Sequence, residues 1–143
     1  MGQINVSKDF DATPDKLWET VSDPHTWEKW LTIHAGWLEE PPTTIEVGTK
    51  LVEKVVMLGM ANKLEWVVES VEPGAELTID GTGMAGVKSR FAFTLAPHGD
   101  GTTVTIDAAF EGAMIVGALG KAVEKDAVKN LGESLDKLAD LAV

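Results

Sequence analysis

Cysteine and tyrosine are both absent from this chain. Without cysteine there are no disulfides, no thiolate metal sites and no thiol nucleophile. Without tyrosine, a ligand cavity has no phenol groups to offer. Basic charge is scarce, with 12 Lys and Arg against 23 Asp and Glu and a formal net charge of -11. A duplex or an anionic membrane surface would be repelled unless Lys and Arg gathered in a patch. They never cluster, so no nucleic-acid partner is expected. Long apolar runs are missing too. None approaches the about 18 residues of a membrane-spanning helix, and Met1-Gly2-Gln3-Ile4-Asn5 lacks the basic, then apolar, start of a secretory leader. No membrane insertion is expected, and the location follows as cytoplasmic. Gly2 does not make a myristoylation site, because Val6 stands where Ser or Thr is needed.

What is present fits a single domain over residues 1–143, long enough to bury a sizeable core. Its last thirty or so residues organise the rest. From Ala113 to Leu141, the apolar series Val116, Leu119, Val123, Ala127, Leu131, Leu135, Leu138 and Ala142 advances in steps of three or four, which predicts one long amphipathic helix. Lys121, Lys125, Lys129, Glu133, Asp136, Lys137 and Asp140 fall mostly on its wet side. The two halves differ in bulk. Gly112, Ala113, Gly117, Ala118 and Gly120 precede Lys121, and leucines follow it. A helix that lays leucines on a sheet at one end and almost nothing at the other leaves a cavity at the bare end. The competing reading is that Gly117 and Gly120 only allow close approach or a kink.

Upstream, Ile4 to Asp11 alternates as a first strand. Thr13 as N-cap, Pro14 at the first helical position and Asp15 at the positive end of the dipole predict a helix burying Leu17, Trp18 and Val21. Asp23-Pro24 repeats the signal and predicts a second helix carrying Trp27, Trp30, Leu31 and His34 on one side. Strands are then expected at 49–57, 62–71, 76–80, 87–95 and 103–110, joined by hairpin-sized turns. Alternation turns Leu64, Trp66, Val68, Leu77, Ile79, Val87, Ser89, Phe91, Phe93, Leu95, Val104, Ile106, Ala108 and Phe110 inward, and Arg90 outward. Val67 and Val71 fit the opposite phase, which a bulge would reconcile. The fold class is α+β: a curved antiparallel sheet of about six or seven strands gripping the long C-terminal helix, with two short helices after the first strand.

The stretch Ala12-Thr13-Pro14-Asp15-Lys16-Leu17-Trp18-Glu19-Thr20-Val21-Ser22-Asp23-Pro24, followed by Trp30 and with Val47-Gly48 and Val71-Glu72-Pro73-Gly74 in their places, resembles the START-like superfamily of polyketide cyclase, dehydrase and lipid-transport proteins (SRPBCC type). The resemblance covers essentially the whole chain and is specific for the helix-grip fold, not for an activity. It implies an apolar cavity between sheet and C-terminal helix. Members include aromatase/cyclases, lyases, pathogenesis-related ligand carriers, lipid transporters and heat-shock-ATPase activators. Some short actinobacterial members that this chain resembles are assigned as the toxin half of toxin–antitoxin pairs.

Among candidate motifs, Gly81-Thr82-Gly83-Met84-Ala85-Gly86 matches the dinucleotide fingerprint by letter. A strand rather than a helix follows it, so it reads as a glycine-rich hairpin. His25, His34 and His98 have no metal-ligand spacing, and neither a metal nor a cofactor is expected. His34 is a candidate general acid or base at the cavity mouth, without an evident partner. Glu53 shares a phase with Leu51, Val55 and Met57; facing inward, it would be a desolvated carboxylate fit for proton transfer. The opposite phase, with Val52, Val56 and Leu58 inside, is equally apolar, so its side stays open. Ser89 could orient a ligand oxygen or satisfy a neighbouring carbonyl. Met57, Met60, Met84 and Met114 suit a cavity rim, a protein-binding patch or packing under loops.

The expected function is binding of a small hydrophobic ligand, aromatic, acyl or lipid-like. The expected lining residues are Trp30, Val55, Met57, Trp66, Ile79, Ser89, Phe91, Phe93, Phe110, Met114, Gly117 and Ala118. Two alternatives stand. One is a cyclase/dehydrase-like enzyme using Glu53 or His34, which the lack of tyrosine and the outward Arg90 disfavour. The other is a toxin component acting through a protein partner, an antitoxin. A homodimer is also open.

Overall fold

The structure is a computed structural model and describes residues 2–57, 59–83, 86–112 and 117–141, without the side chains of Met57 and Met60. Thr13 and Asp23 act as the sequence requires. The Thr13 hydroxyl accepts from Lys16 N at 3.4 Å and starts α1 (Pro14–Val21). The Asp23 carboxylate accepts from His25 N at 3.0 Å and opens a 3-10 turn (Pro24–Thr26) that runs into α2 (Trp27–Trp30). Leu17 and Val21 of α1 and Trp27 and Trp30 of α2 are buried.

The strands are β1 (Gly2–Phe10), β2 (His34–Trp37), β3 (Lys50–Met57), β4 (Met60–Glu72), β5 (Glu76–Thr82), β6 (Lys88–His98) and β7 (Gly101–Glu111). They form one antiparallel sheet in the order β1-β7-β6-β5-β4-β3-β2, curled into a half-barrel. With α3 (Gly117–Leu141) lying against β1 and α2 and reaching β3, this is the helix-grip α+β architecture. The β4 register shifts between Val68 and Ser70, so the expected bulge is there. Before it, Val67 is 39% exposed while Leu64, Trp66 and Val68 stay inside, and after it Val71 packs half-buried against the core.

The second helix is shorter than the sequence suggests. It stops at Trp30, and Leu31 is already extended (φ -81°, ψ 99°). Thr32 and Ile33 form a turn, closed by His34 N donating to the Leu31 carbonyl at 2.9 Å, and His34 then starts β2 at the sheet edge instead of lying on a helix. A polar latch ties this segment to α3. Thr32 N donates to Ser134 Oγ at 2.9 Å, Thr32 Oγ1 donates to the Asn130 carbonyl at 2.7 Å, and Ser134 is fully buried.

The leucine half of α3 buries Ala127, Leu131, Leu135 and Leu138. In the bare half, Gly117, Ala118 and Leu119 are exposed, and Gly120 is the only buried residue between Gly117 and Asp126. Leu119, expected in the buried stripe, is 39% exposed. A Cβ built on Gly117, whose φ is +59°, would meet nothing within 4 Å. Of the expected helix and its stripe, residues 113–116 and Ala142 lie outside the described residues.

Candidate functional site

A bulge in β2 builds the most unusual chemistry in the molecule. His34 pairs with Val55, Gly36 with Lys54 and Trp37 with Glu53, so one extra residue is accommodated between His34 and Gly36. Two residues three apart then face the same side, which regular alternation forbids. His34 and Trp37 both turn to the inner face, where Glu53 already points, and their rings lie 4.8 Å apart. The phase left open by sequence is thus decided: Leu51, Glu53 and Val55 face in, and Val56 is 37% exposed.

Glu53 is fully buried, and the His34 side chain is 2% exposed. The carboxylate is shared. Its Oε1 accepts from Trp66 Nε1 at 2.8 Å, and its Oε2 pairs with His34 Nδ1. An unpartnered carboxylate in this setting would be very costly, and the two contacts answer its need for hydrogen bonds. The two ionisable candidates that sequence could name only separately are one unit.

Trp66 reaches Glu53 because the next strand has no side chain in its way. Gly81 is its register partner, and a Cβ there would stand 2.7 Å from the Trp66 ring. Gly81, the first residue of the fingerprint-like stretch, thus serves a buried indole, and the strand that follows β5 in chain order is β6. Gly81→Ala is expected to cost about 1–3 kcal/mol through overpacking and to shift tryptophan fluorescence by moving Trp66 off Glu53. Unchanged stability and emission would contradict this.

Trp30, Val55, Trp66, Ile79, Ser89, Phe91, Phe93 and Phe110 are all buried on the inner side. Their rings touch. Trp66 and Phe91 have centroids 5.2 Å apart, Phe91 and Phe110 5.9 Å, Phe91 and Phe93 6.2 Å, and Trp30 and Phe93 6.1 Å. The aromatics expected to line a cavity pack on one another as one continuous layer. Gly117 and Ala118 are exposed at the helix start. Leu58, Met84, Ala85 and Met114, and the side chains of Met57 and Met60, lie outside the described residues.

Sequence reasoning missed β2 and with it Trp37. Gly36 inside a short extended run was the available bulge signal. Arg90 is outward as expected, and its Nε and Nη2 bond Asp80 at 2.6 and 2.8 Å. That hydrogen bonding first, and the carboxylate's charge second, raises the guanidinium above its ordinary range. The pair borders a groove of about 460 Å³ across β5, β6 and β7. Among the described residues no cluster of three or more His, Cys, Asp or Glu is gathered to hold a metal. Likewise no described helix is long and apolar enough to cross a membrane.

Comparison with known proteins agrees with this architecture. The profile of the family described as polyketide cyclase / dehydrase and lipid transport matches residues 1–143. A Mycobacterium tuberculosis protein named Toxin Rv0910 is 30% identical over 135 residues, covering 94% of each chain. Another from the same organism, the uncharacterized protein Rv1546, is 28% identical over 141 residues and 99% of each chain. In fold, the crystal structure of TTHA0849 from Thermus thermophilus superposes with a TM-score of 0.80 at 16% identity, covering 98% of this chain and 96% of that one.

Proposed function

Since the chain belongs to the polyketide cyclase/dehydrase and lipid transport family, we propose that it binds a small hydrophobic molecule between the inner face of the sheet and the bare half of α3. One observation carries this reading, the unequal burial of α3. Its leucine half is packed, whereas its first ten residues bury only Gly120 and leave Leu119 exposed, and the inner face of the sheet carries a layer of buried aromatics. Apolar floors under an incompletely filled lid are where small apolar ligands gain most from leaving water. Thermal unfolding with a panel of fatty acids, aromatics and polyketide-like compounds tests it. A ligand at a hundred times its Kd adds about 2.7 kcal/mol of stability, a rise in midpoint that is easily resolved. No shift with any member of the panel would overturn the reading.

The Glu53–His34 contact favours a second reading, a proton-transferring enzyme in which the imidazole and the carboxylate act as one shuttle. Unchanged turnover of a bound substrate in Glu53→Gln and His34→Ala would remove it. The name of the Mycobacterium tuberculosis relative favours a third, a toxin restrained by a protein partner. Growth arrest on expression, relieved by the product of a neighbouring reading frame, would support that role, and unaffected growth would count against it.

A further inference from the structure

Indole nitrogens can only donate, and buried ones almost always find an acceptor. Trp27 Nε1 donates to the Val21 carbonyl at 3.0 Å, Trp30 Nε1 to Thr26 Oγ1 at 3.2 Å and Trp66 Nε1 to Glu53 Oε1 at 2.8 Å. Trp37 Nε1 is buried and has no such partner. Its ring is no stray surface group. It packs 5.5 Å from Trp27, which is fully buried, and 4.8 Å from His34, and its residue is the register partner of Glu53. The other buried nitrogen without a partner among the described residues, His25 Nε2, donates or accepts according to tautomer and so does not define what it would bind.

We infer that Trp37 Nε1 is the polar contact for the ligand, and that the ligand presents to it an uncharged oxygen acceptor, such as a ketone or ester carbonyl, and not a carboxylate. This rests on the proposed ligand-binding role. The acceptor follows from the donor-only chemistry of the indole. The absence of charge follows from its surroundings. Among the described residues the buried polar and charged ones are Glu53, Thr78, Ser89, Thr102 and Ser134, with His34 beside Glu53, and no Lys or Arg is among them. A ligand carboxylate at Trp37 would find no Lys or Arg to meet it, a His34 whose Nδ1 is already taken up by Glu53, and a net charge of -11 on the chain. Bringing a second anion from water into that site is far more costly than bringing in a carbonyl, whose single hydrogen bond the indole restores.

Matched pairs test this. 2-Undecanone against decanoate, and 2-acetylnaphthalene against 2-naphthoate, keep the apolar skeleton and change only the head. Both ketones are expected to bind at least tenfold more tightly than their acids, and to shift the Trp37 indole N–H resonance of the intact protein more than those of Trp27, Trp30 and Trp66. Trp37→Phe keeps the ring and removes the donor; it is expected to weaken ketone binding about threefold to tenfold while leaving the acids unchanged. Equal or tighter binding of the acids, ketone binding that leaves the Trp37 resonance in place, or ketone affinity unaffected by Trp37→Phe each overturn the inference. They would leave the ligand-binding role standing. Failure of the ketones while other members of the broader panel bind does the same, whereas failure of every compound removes both. The resonance is read in the unaltered protein, so the test survives a Trp37→Phe variant that does not fold.

Discussion

Glu53→Ala is expected to lower the stability of the protein by about 3–5 kcal/mol, the range seen when one member of a buried charged pair is removed. The substitution deletes the acceptor of Trp66 Nε1 and the partner of His34 Nδ1, and both are enclosed. Two buried polar groups would then be left without their partner, each costing about 1–3 kcal/mol. Glu53→Gln serves as the comparison. Its amide oxygen can still accept from the indole and its NH₂ can donate to a neutral imidazole, so a loss of about 1 kcal/mol is expected. A double-mutant cycle of Glu53→Leu with His34→Leu should show coupling of at least about 1 kcal/mol, because contacting residues of one network are not additive. Urea denaturation measures all five variants against the parent protein. A loss under about 1 kcal/mol for Glu53→Ala, or additive behaviour in the cycle, would mean that the pair is not the unit described.

Gly101→Ala is the second large effect expected, and its cause is backbone against backbone. A Cβ on Gly101, the first residue of β7, would stand 2.0 Å from the Phe10 carbonyl oxygen and 3.3 Å from the Asp11 Cα. Phe10 is the last paired residue of β1, matched to Thr102. No side chain can rotate away to relieve that contact, so the end of the β1–β7 ladder must open. The expected loss is about 3 kcal/mol or more, at the upper end of what overpacking costs, with faster amide exchange at Phe10 and Thr102. A variant within about 0.5 kcal/mol of the parent would show that the two strands separate freely there. Gly99, in the turn just before, offers a control: a Cβ there meets nothing within 4 Å, and only its φ of +59° disfavours a side chain.

The fold was largely legible in the sequence because its signals are local or periodic. Thr13-Pro14 and Asp23-Pro24 cap as read, the two-residue period of Ser89 to Leu95 and of Val104 to Phe110 faces as read, and the heptad-like spacing from Ala127 to Leu138 marks the packed half of α3. Even the doubtful phase at Val67 and Val71 pointed to a bulge that exists. The site was legible only in pieces. Glu53 and His34 were each nameable as candidates, but nothing in their spacing joins them. They are 19 positions apart and meet only because β2 adds to the edge of β3 with an extra residue between His34 and Gly36. Four residues at a sheet edge give too short a pattern for periodicity to catch, and a helix signal just before them masked it.

From the chain alone came the two capped helices, the alternating strands, the helix with one heavy and one bare half, and the poverty of basic and thiol chemistry. All of these are written in neighbouring residues and in counts. Only the tertiary structure decided that Glu53 faces inward, that Trp66 lies over Gly81 to reach it, and that His34 and Trp37 share its side. Those facts depend on which strands lie next to one another and in what register, and a shift of one residue in register would send the same side chains to water.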